Sequence, residues 1–262
     1  MVPFVALMRR YSIDYTNSHD LSVCDDIMEP DYVVHIAGWS LERDAAYKPA
    51  VELVFAQFPG LCLAIHEIVT NGERLAMRFS EHAADAEGKR CCWAGISLYR
   101  WNRSKLTECR VEQDFLSRQR QLLSGRPDPL EPPHHDPWTT TRALPADPEA
   151  ERVAADWLRK GGLAKASAGT IDEADLASFA PVVEPSRVEV FDLFSAGPRV
   201  AFHASLTGRY LGGLPQAGEH RGAEARLDVA GIATIVGKEV REVRVVTDRL
   251  GTWSRLTGRQ MF

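Results

Sequence analysis

Cysteine is scarce in this chain, and long apolar runs are missing. Its five cysteines, Cys24, Cys62, Cys91, Cys92 and Cys109, are odd in number, form no C-x-x-C pair and stop at residue 109. That pattern suits reduced thiols, most of them buried, in a cytoplasmic protein better than a disulfide framework. No stretch approaches the ~18–20 apolar residues of a spanning helix, so no membrane partner is expected. Met1 to Met8 lacks a basic leading region and runs straight into Arg9-Arg10, unlike a signal peptide. Neither sign of charge dominates: the net charge is -5, which gives no general attraction to nucleic acid or anionic membrane. G-x-x-x-x-G-K-[ST], G-x-G-x-x-G and G-x-S-x-G are all absent, leaving nucleotide and serine-hydrolase classes without support. His134-His135-Asp136 has no further spaced ligands and lies among prolines, so it is read as solvent-facing and no metal is expected.

The chain is, however, written twice. Arg110-Val111-Glu112-Gln113-Asp114-Phe115-Leu116 returns 134 positions later as Arg244-Val245-Val246-Thr247-Asp248-Arg249-Leu250. Cys92-Trp93-Ala94-Gly95-Ile96 returns as Asp228-Val229-Ala230-Gly231-Ile232, and Arg74-Leu75-Ala76-Met77 as Arg199-Val200-Ala201-Phe202. Three anchors in one order at so long a period indicate a duplicated domain, since solenoid units are only ~20–50 residues. With 262 residues, 45% hydrophobic and 26% charged, each half can bury its own core.

Each half opens helical and continues in long strands. Leu7, Tyr11 and Tyr15 have helical spacing; a short helix from Leu21 ends before Pro30; Asp31–Ile36 is β-rich; and Leu41–Phe58 reads as a helix. Strands follow at 61–69, 74–82, 90–101 and 106–114, with Asn71-Gly72 as a hairpin signal. Helices followed by an antiparallel meander indicate an α+β domain with helices on one face of a curved sheet. Residues 126–147 hold six prolines and read as a semi-rigid linker between domains at 1–125 and 148–262. The second half starts with a helix from Glu149 to Ala166 and has strands at 187–194, 199–210, 223–236 and 239–248. Its early region is 14 residues shorter than in the first half, and its middle hairpin carries a glycine-rich insert, Leu211–Gly222.

The helix at Tyr11–Tyr15, "PDYVVH", the helix ending in "FPG", "IHEIVTNGERLAMRF" and "LTECRVEQDFLSRQRQL" together resemble the SnoaL-like polyketide cyclases. These belong to the nuclear transport factor 2-like superfamily, which also holds ketosteroid isomerase and limonene epoxide hydrolase. The resemblance covers residues 5–123 and, more faintly, 150–256. It implies two tandem cone-shaped α+β barrels, each a set of helices over a curved sheet, paired as an intrachain pseudo-dimer. It further implies an apolar pocket for a compact organic substrate, no cofactor, and an acid inside the cone. Carried onto this chain, the last-strand acid is Asp114 and the first-helix tyrosine is Tyr15. His35 stands within one position of the acid of isomerase-like relatives. Arg110 departs from the pattern, where many relatives carry tryptophan.

Alternation along strands sorts side chains by face. Ile65, Met77, Ile96, Leu98 and Val111 share an apolar parity; His66, Arg78, Ser80, Trp93, Ser97, Arg110, Glu112 and Asp114 take the other. The second set either lines the pocket or forms ion pairs on another surface. Asp114 is repeated as Asp248, which suits catalysis and equally a helix N-cap. His35 and His66 sit in apolar company, where a satisfied core histidine is the ordinary outcome. Arg78 is matched with His203 of the second copy.

These readings converge on a cofactor-independent acid/base enzyme acting on a small hydrophobic, aromatic or polycyclic molecule, as isomerase, aldol-type cyclase or C–C lyase. The resemblance implies one lyase variant in particular, release of formaldehyde from a lignin-derived diaryl compound, as in some superfamily members. Asp114 or His35 would move the proton and Tyr15, Arg78 or Arg110 would hold the oxyanion. Trp39, His66, Trp93, Tyr99, Arg110 and Glu112 are the candidate substrate contacts. Catalysis is expected in residues 1–123, with a shallow or filled second cone. A homo-oligomer is compatible with the fold, and a non-catalytic binding or scaffold protein is the alternative.

Overall fold

The computed structural model describes residues 1–129, 131–165, 169–172, 174–175 and 180–259. Ala166, the expected end of a helix, lies outside the described residues, as do 260–262 of the second domain. The chain divides into two compact units: Met1–Val111 with Ser117–Leu144, and Glu112–Leu116 with Pro145–Phe262.

In the first unit α1 (Pro3–Arg10) starts with proline at its first turn, where no donor is lost, and runs into a π-helical segment, Tyr11–Asn17. A short α2 (Cys24–Ile27) leads to β1 (Met28–Ile36), which pairs back with β2 (Trp39–Glu42). The sequence places a helix from Leu41; in the fold Leu41 and Glu42 are still in β2, and a second π-helical turn, Arg43–Tyr47, precedes α3 (Lys48–Gln57). The meander follows as β3 (Cys62–Thr70), β4 (Arg74–Ala84), β5 (Arg90–Trp101) and β6 (Leu106–Gln113). Asn71-Gly72 turns β3 into β4: the Asn71 side-chain oxygen accepts from the N–H groups of Glu73 (3.0 Å) and Arg74 (2.8 Å), and Gly72 takes φ +91°. That left-handed φ carries no steric cost only in glycine. Then come α4 (Phe115–Ser124) and α5 (Pro137–Thr140). Residues expected as a spacer run beside β3 inside this unit: His134 N–H donates to Ile65 O (2.8 Å) and Leu144 N–H to Thr70 O (3.1 Å).

The second unit begins its own elements with α6 (Pro148–Arg159), capped by Asp147, whose carboxylate accepts from the N–H groups of Glu149 and Ala150 at 3.0 Å each. Then come β7 (Gly169–Ile171), β8 (Ala174–Asp175), β9 (Val183–Ala196), β10 (Arg199–Tyr210), β11 (Glu224–Val236), β12 (Glu239–Thr247) and α7 (Arg249–Thr257). The two units share one strand order. The sheets run β2-β1-β6-β5-β4-β3 and β8-β7-β12-β11-β10-β9, each with one parallel pair, β1 with β6 and β7 with β12. The shortened early region of the second copy appears as the stunted hairpin β7–β8.

A close contact is repeated as well. Phe79 is opposite Gly95 in the first sheet, and Phe202 is opposite Gly231 in the second. Each phenyl ring lies over the glycine so tightly that a Cβ there would fall 2.2 Å from Phe79 or 2.3 Å from Phe202. This match corrects the alignment of the copies: Phe202 corresponds to Phe79, so His203 corresponds to Ser80 and not to Arg78. A two-residue slip preserves strand parity, which is why the sequence pattern does not reveal it. Gly95→Ala is expected to lower stability by about 1–3 kcal/mol, the usual cost of overpacking, as measured by denaturant unfolding. An unchanged midpoint would show that the ring gives way.

The insert Leu211–Gly222 is folded against its own unit. Leu214 N–H donates to the Tyr210 hydroxyl (3.0 Å), Trp253 Nε1 donates to Pro215 O (2.7 Å), and Leu214 and Ala217 are buried. The interior of this unit keeps an apolar cavity of about 30 Å³ beside Leu158, Val182, Leu206, Leu227 and Val229. That is far below the ~150 Å³ that accommodates a benzene ring.

Candidate active site in the first unit

The π-helical turns and the sheet bring five tyrosines into one core. Tyr15, Tyr32, Tyr47 and Tyr99 are buried together with Cys109, Leu75, Met77 and Phe79, and Tyr11 packs against them. Tyr15 donates to the Tyr47 hydroxyl (2.9 Å), which also bonds Tyr11 (3.1 Å). Burial holds all five phenols well above their ordinary pKa, so they remain protonated donors. Two of the three bonded hydroxyls sit on Tyr11–Asn17 and one on Arg43–Tyr47, and such π-helical segments recur at functional sites.

Register then decides which strand residues join them. In β4 and β5 Leu75 pairs with Tyr99, Met77 with Ser97, Phe79 with Gly95 and Glu81 with Trp93. Paired residues share a face, so Trp93, Ser97, Tyr99 and Glu81 lie on the core face with Met77. Ile96 pairs with Arg78 and belongs to the opposite face. The sequence grouping joins Met77 with Ile96 and sets Trp93 and Ser97 apart from it. Alternation yields two sets per strand and does not say which sets of neighbouring strands coincide.

Glu81 is the group the sequence reading missed. Burial pushes its carboxyl up to about 7, against the pull of the Arg118 guanidinium. Arg118, on α4, lies 5.1 Å from the Trp93 ring centre and 5.7 Å from that of Phe58, and burial lowers its own pKa. Tyr15 also feels the Glu81 charge. A signal was present: the apolar series Leu75, Met77, Phe79 continues two residues on to an acid.

The expected site residues are distributed as follows. Tyr15, Trp93 and Tyr99 are in the core just described. Trp39 is 72% exposed on β2. His35 bonds Ser40 (2.8 Å) and lies 3.4 Å from Glu108, which also pairs with Arg110 (2.8 Å) and Arg100 (3.2 Å). Burial and Arg110 lower the His35 pKa, while Glu108 raises it. His66 is in hydrogen-bond contact with Ser80, and Arg78 with Glu131, on the face away from the tyrosines. Glu112 and Asp114 count with the second unit. There the Glu112 carboxylate meets His203 (2.9 Å), and both Asp114 oxygens accept from Arg249 (2.8 and 2.7 Å). Asp248, the repeat of Asp114, caps α7 through Gly251 N–H (2.7 Å). Asp136 likewise caps α5 and its N–H donates to His134 Nδ1, so that cluster forms a turn. No group of three metal-ligand side chains occurs among the described residues. No described helix is long and apolar enough to cross a membrane.

Residues 6–122 match the SnoaL-like polyketide cyclase family. The first unit is a SnoaL-like domain. Among solved structures, the chain resembles a candidate polyketide cyclase from Acidithiobacillus ferrooxidans at 21% identity and TM-score 0.41, covering 46% of this chain and 94% of that one. It also resembles IdmH, described as a candidate polyketide cyclase from Streptomyces antibioticus, at 18% identity and TM-score 0.43, covering 47% and 99%. TerC, crystallised with polyporic acid, aligns at 15% identity and TM-score 0.41 over 46% and 98%. No curated protein matches the chain. The SnoaL-like match ends at residue 122, so it takes in Glu81 and Arg118 with the five tyrosines.

Proposed function

We propose that the SnoaL-like unit is an acid/base enzyme that removes a proton next to a carbonyl of a compact aromatic or polycyclic substrate. Enolate formation of this kind serves isomerisation, aldol-type ring closure and the reverse C–C cleavage. The observation that carries the reading is Glu81, a carboxyl on the core face whose burial sets it to titrate at about 7. A base is most effective when its pKa lies near the working pH. Arg118 and the protonated Tyr15–Tyr47–Tyr11 chain supply positive charge and donors for the oxyanion that forms as the proton leaves. Trp93 and Phe58 pack on each other beneath Arg118 and give the acid its apolar surroundings. Asp114 and Glu112, already bound by Arg249 and His203, serve the architecture of the second unit.

The direct test is solvent exchange. Polycyclic aromatic ketones with an acidic C–H are incubated with the full chain in D2O, and deuterium uptake is followed by NMR. Uptake should rise about tenfold per pH unit below 7 and level off above it, as the basic form of Glu81 fills. A flat profile, or exchange no faster than buffer across the panel, would favour a binding or scaffold role.

A further inference from the structure

On the opposite face of the first sheet, three side chains form an ordered chain of hydrogen bonds. His66 Nδ1 lies 3.1 Å from Pro132 O, His66 Nε2 lies 2.8 Å from Ser80 Oγ, and Ser80 Oγ lies 2.7 Å from His82 Nε2. The proton positions follow from the partners. A carbonyl only accepts, so Nδ1 of His66 carries the hydrogen, and Nε2 of the neutral ring is an acceptor. Ser80 has a single hydroxyl hydrogen, which therefore goes to His66. His82 must then donate its Nε2–H to Ser80 Oγ.

This is a serine held against a base, with the base oriented by a third group, here a main-chain carbonyl. Two independent features support it. His66 is the extra residue of a β-bulge, the register slipping between Ile65 and Glu67, and bulges re-aim side chains beside reactive centres. The segment that provides Pro132 O is itself anchored, by Glu131 accepting from both terminal nitrogens of Arg78 (2.6 and 2.8 Å) and by His134 N–H on Ile65 O. His66 is buried, whereas Ser80 and His82 are half-buried.

We propose that Ser80 is a second reactive centre, an acyl-accepting hydroxyl for small activated carboxylic esters with His66 as its base. Ser80 Oγ forms a bond to the ester carbon as the bond to the leaving alcohol breaks. The hydroxyl proton moves to His66 Nε2 and then to the departing alkoxide. Water, deprotonated by the same nitrogen, releases the carboxylic acid and restores the serine. His82 Nε2–H, already aimed at Oγ, is placed to donate to the tetrahedral oxyanion. This centre is separate from Glu81 and does not depend on it.

The test uses the full chain with p-nitrophenyl acetate and, separately, a fluorophosphonate probe, mapping the adduct by peptide mass spectrometry. The expected adduct is on Ser80. It should form with a pH profile already level at neutrality, because burial lowers the His66 pKa. Ser80→Ala should abolish it, and His66→Gln should slow it about 10²-fold. Labelling should persist in Glu81→Gln, which separates this proposal from the function of the tyrosine core. Absence of an adduct on Ser80 in the unmodified protein overturns the proposal, as does equal labelling with His66→Gln in a folded variant.

Discussion

Glu81→Gln is expected to cut proton exchange and turnover by about 10²–10⁴-fold, the range for losing a positioned general base, while leaving the protein folded. Glutamine matches the carboxylate in shape and still offers polar atoms to Arg118, so packing around Trp93 and Phe58 should survive. Stability should move the other way. A carboxyl raised to about 7 in the folded state binds its proton more tightly there than in the unfolded chain. Such a group lowers stability as pH rises from the unfolded value towards 7, and the loss is complete above it. Removing the ionisable group should therefore raise stability at pH 8 by about 1–3 kcal/mol, since each tenfold difference in proton affinity is worth about 1.36 kcal/mol. The difference should vanish near pH 4. A variant that keeps its turnover would take the proton-transfer role away from Glu81. One equally stable at both pH values would show that its carboxyl is not desolvated.

Arg249→Met is expected to destabilise the protein by about 3–5 kcal/mol, measured by denaturant unfolding at pH 7. Arg249 holds Asp114 through two oxygens and lies 3.2 Å from Asp172. The side chains of Asp114 and Asp172 are each 3% exposed. Asp172 in turn accepts from Thr247 N–H (2.8 Å) and Thr247 Oγ1 (2.9 Å), tying the β7–β8 turn to the end of β12. Methionine fills much of the volume but takes the guanidinium away from two buried carboxylates. The cost comes from the lost ion pair, so Asp114→Asn in the same chain should return part of it, as a double-mutant cycle would show. With the arginine gone, the ionised carboxylates lose a favourable charge partner in the folded state. The variant should then approach the parent as pH falls to about 4 and fall behind it as pH rises. If Asp114→Asn were additive with Arg249→Met, the two side chains would not be acting as one unit.

Much of the fold is legible in the chain. The repeated R-V-x-x-D-x-L frame, the Asn71-Gly72 turn and the run of strands after residue 60 are local signals, carried by turn chemistry and side-chain alternation. They determine two α+β units, each with a meander of long strands; the shared strand order comes from the fold. The exact match of the copies is not legible, because a two-residue slip keeps every side chain on its face; only the Phe79–Gly95 and Phe202–Gly231 contacts resolve it.

The site is less legible, for a different reason. Alternation within β4 separates Glu81 from Ser80, but which set meets the helices depends on the pairing with β5 and β3 and on the bulge at His66. Those are contacts between residues far apart in sequence. Asp114 looks like a catalytic acid because it ends a strand and is repeated. Its partner Arg249 lies 135 positions away, and nothing in the local pattern announces that pair. Glu81 is marked in sequence only by its place at the end of the apolar series Leu75, Met77, Phe79; its surroundings are created by Trp93 from another strand and Arg118 from a helix. The sequence by itself therefore determined most of the elements and the repeated pattern, and left open which residues carry the chemistry. Only the tertiary structure decided which of those residues are desolvated and which are neutralised by a partner, because both depend on neighbours that the chain brings close only by folding.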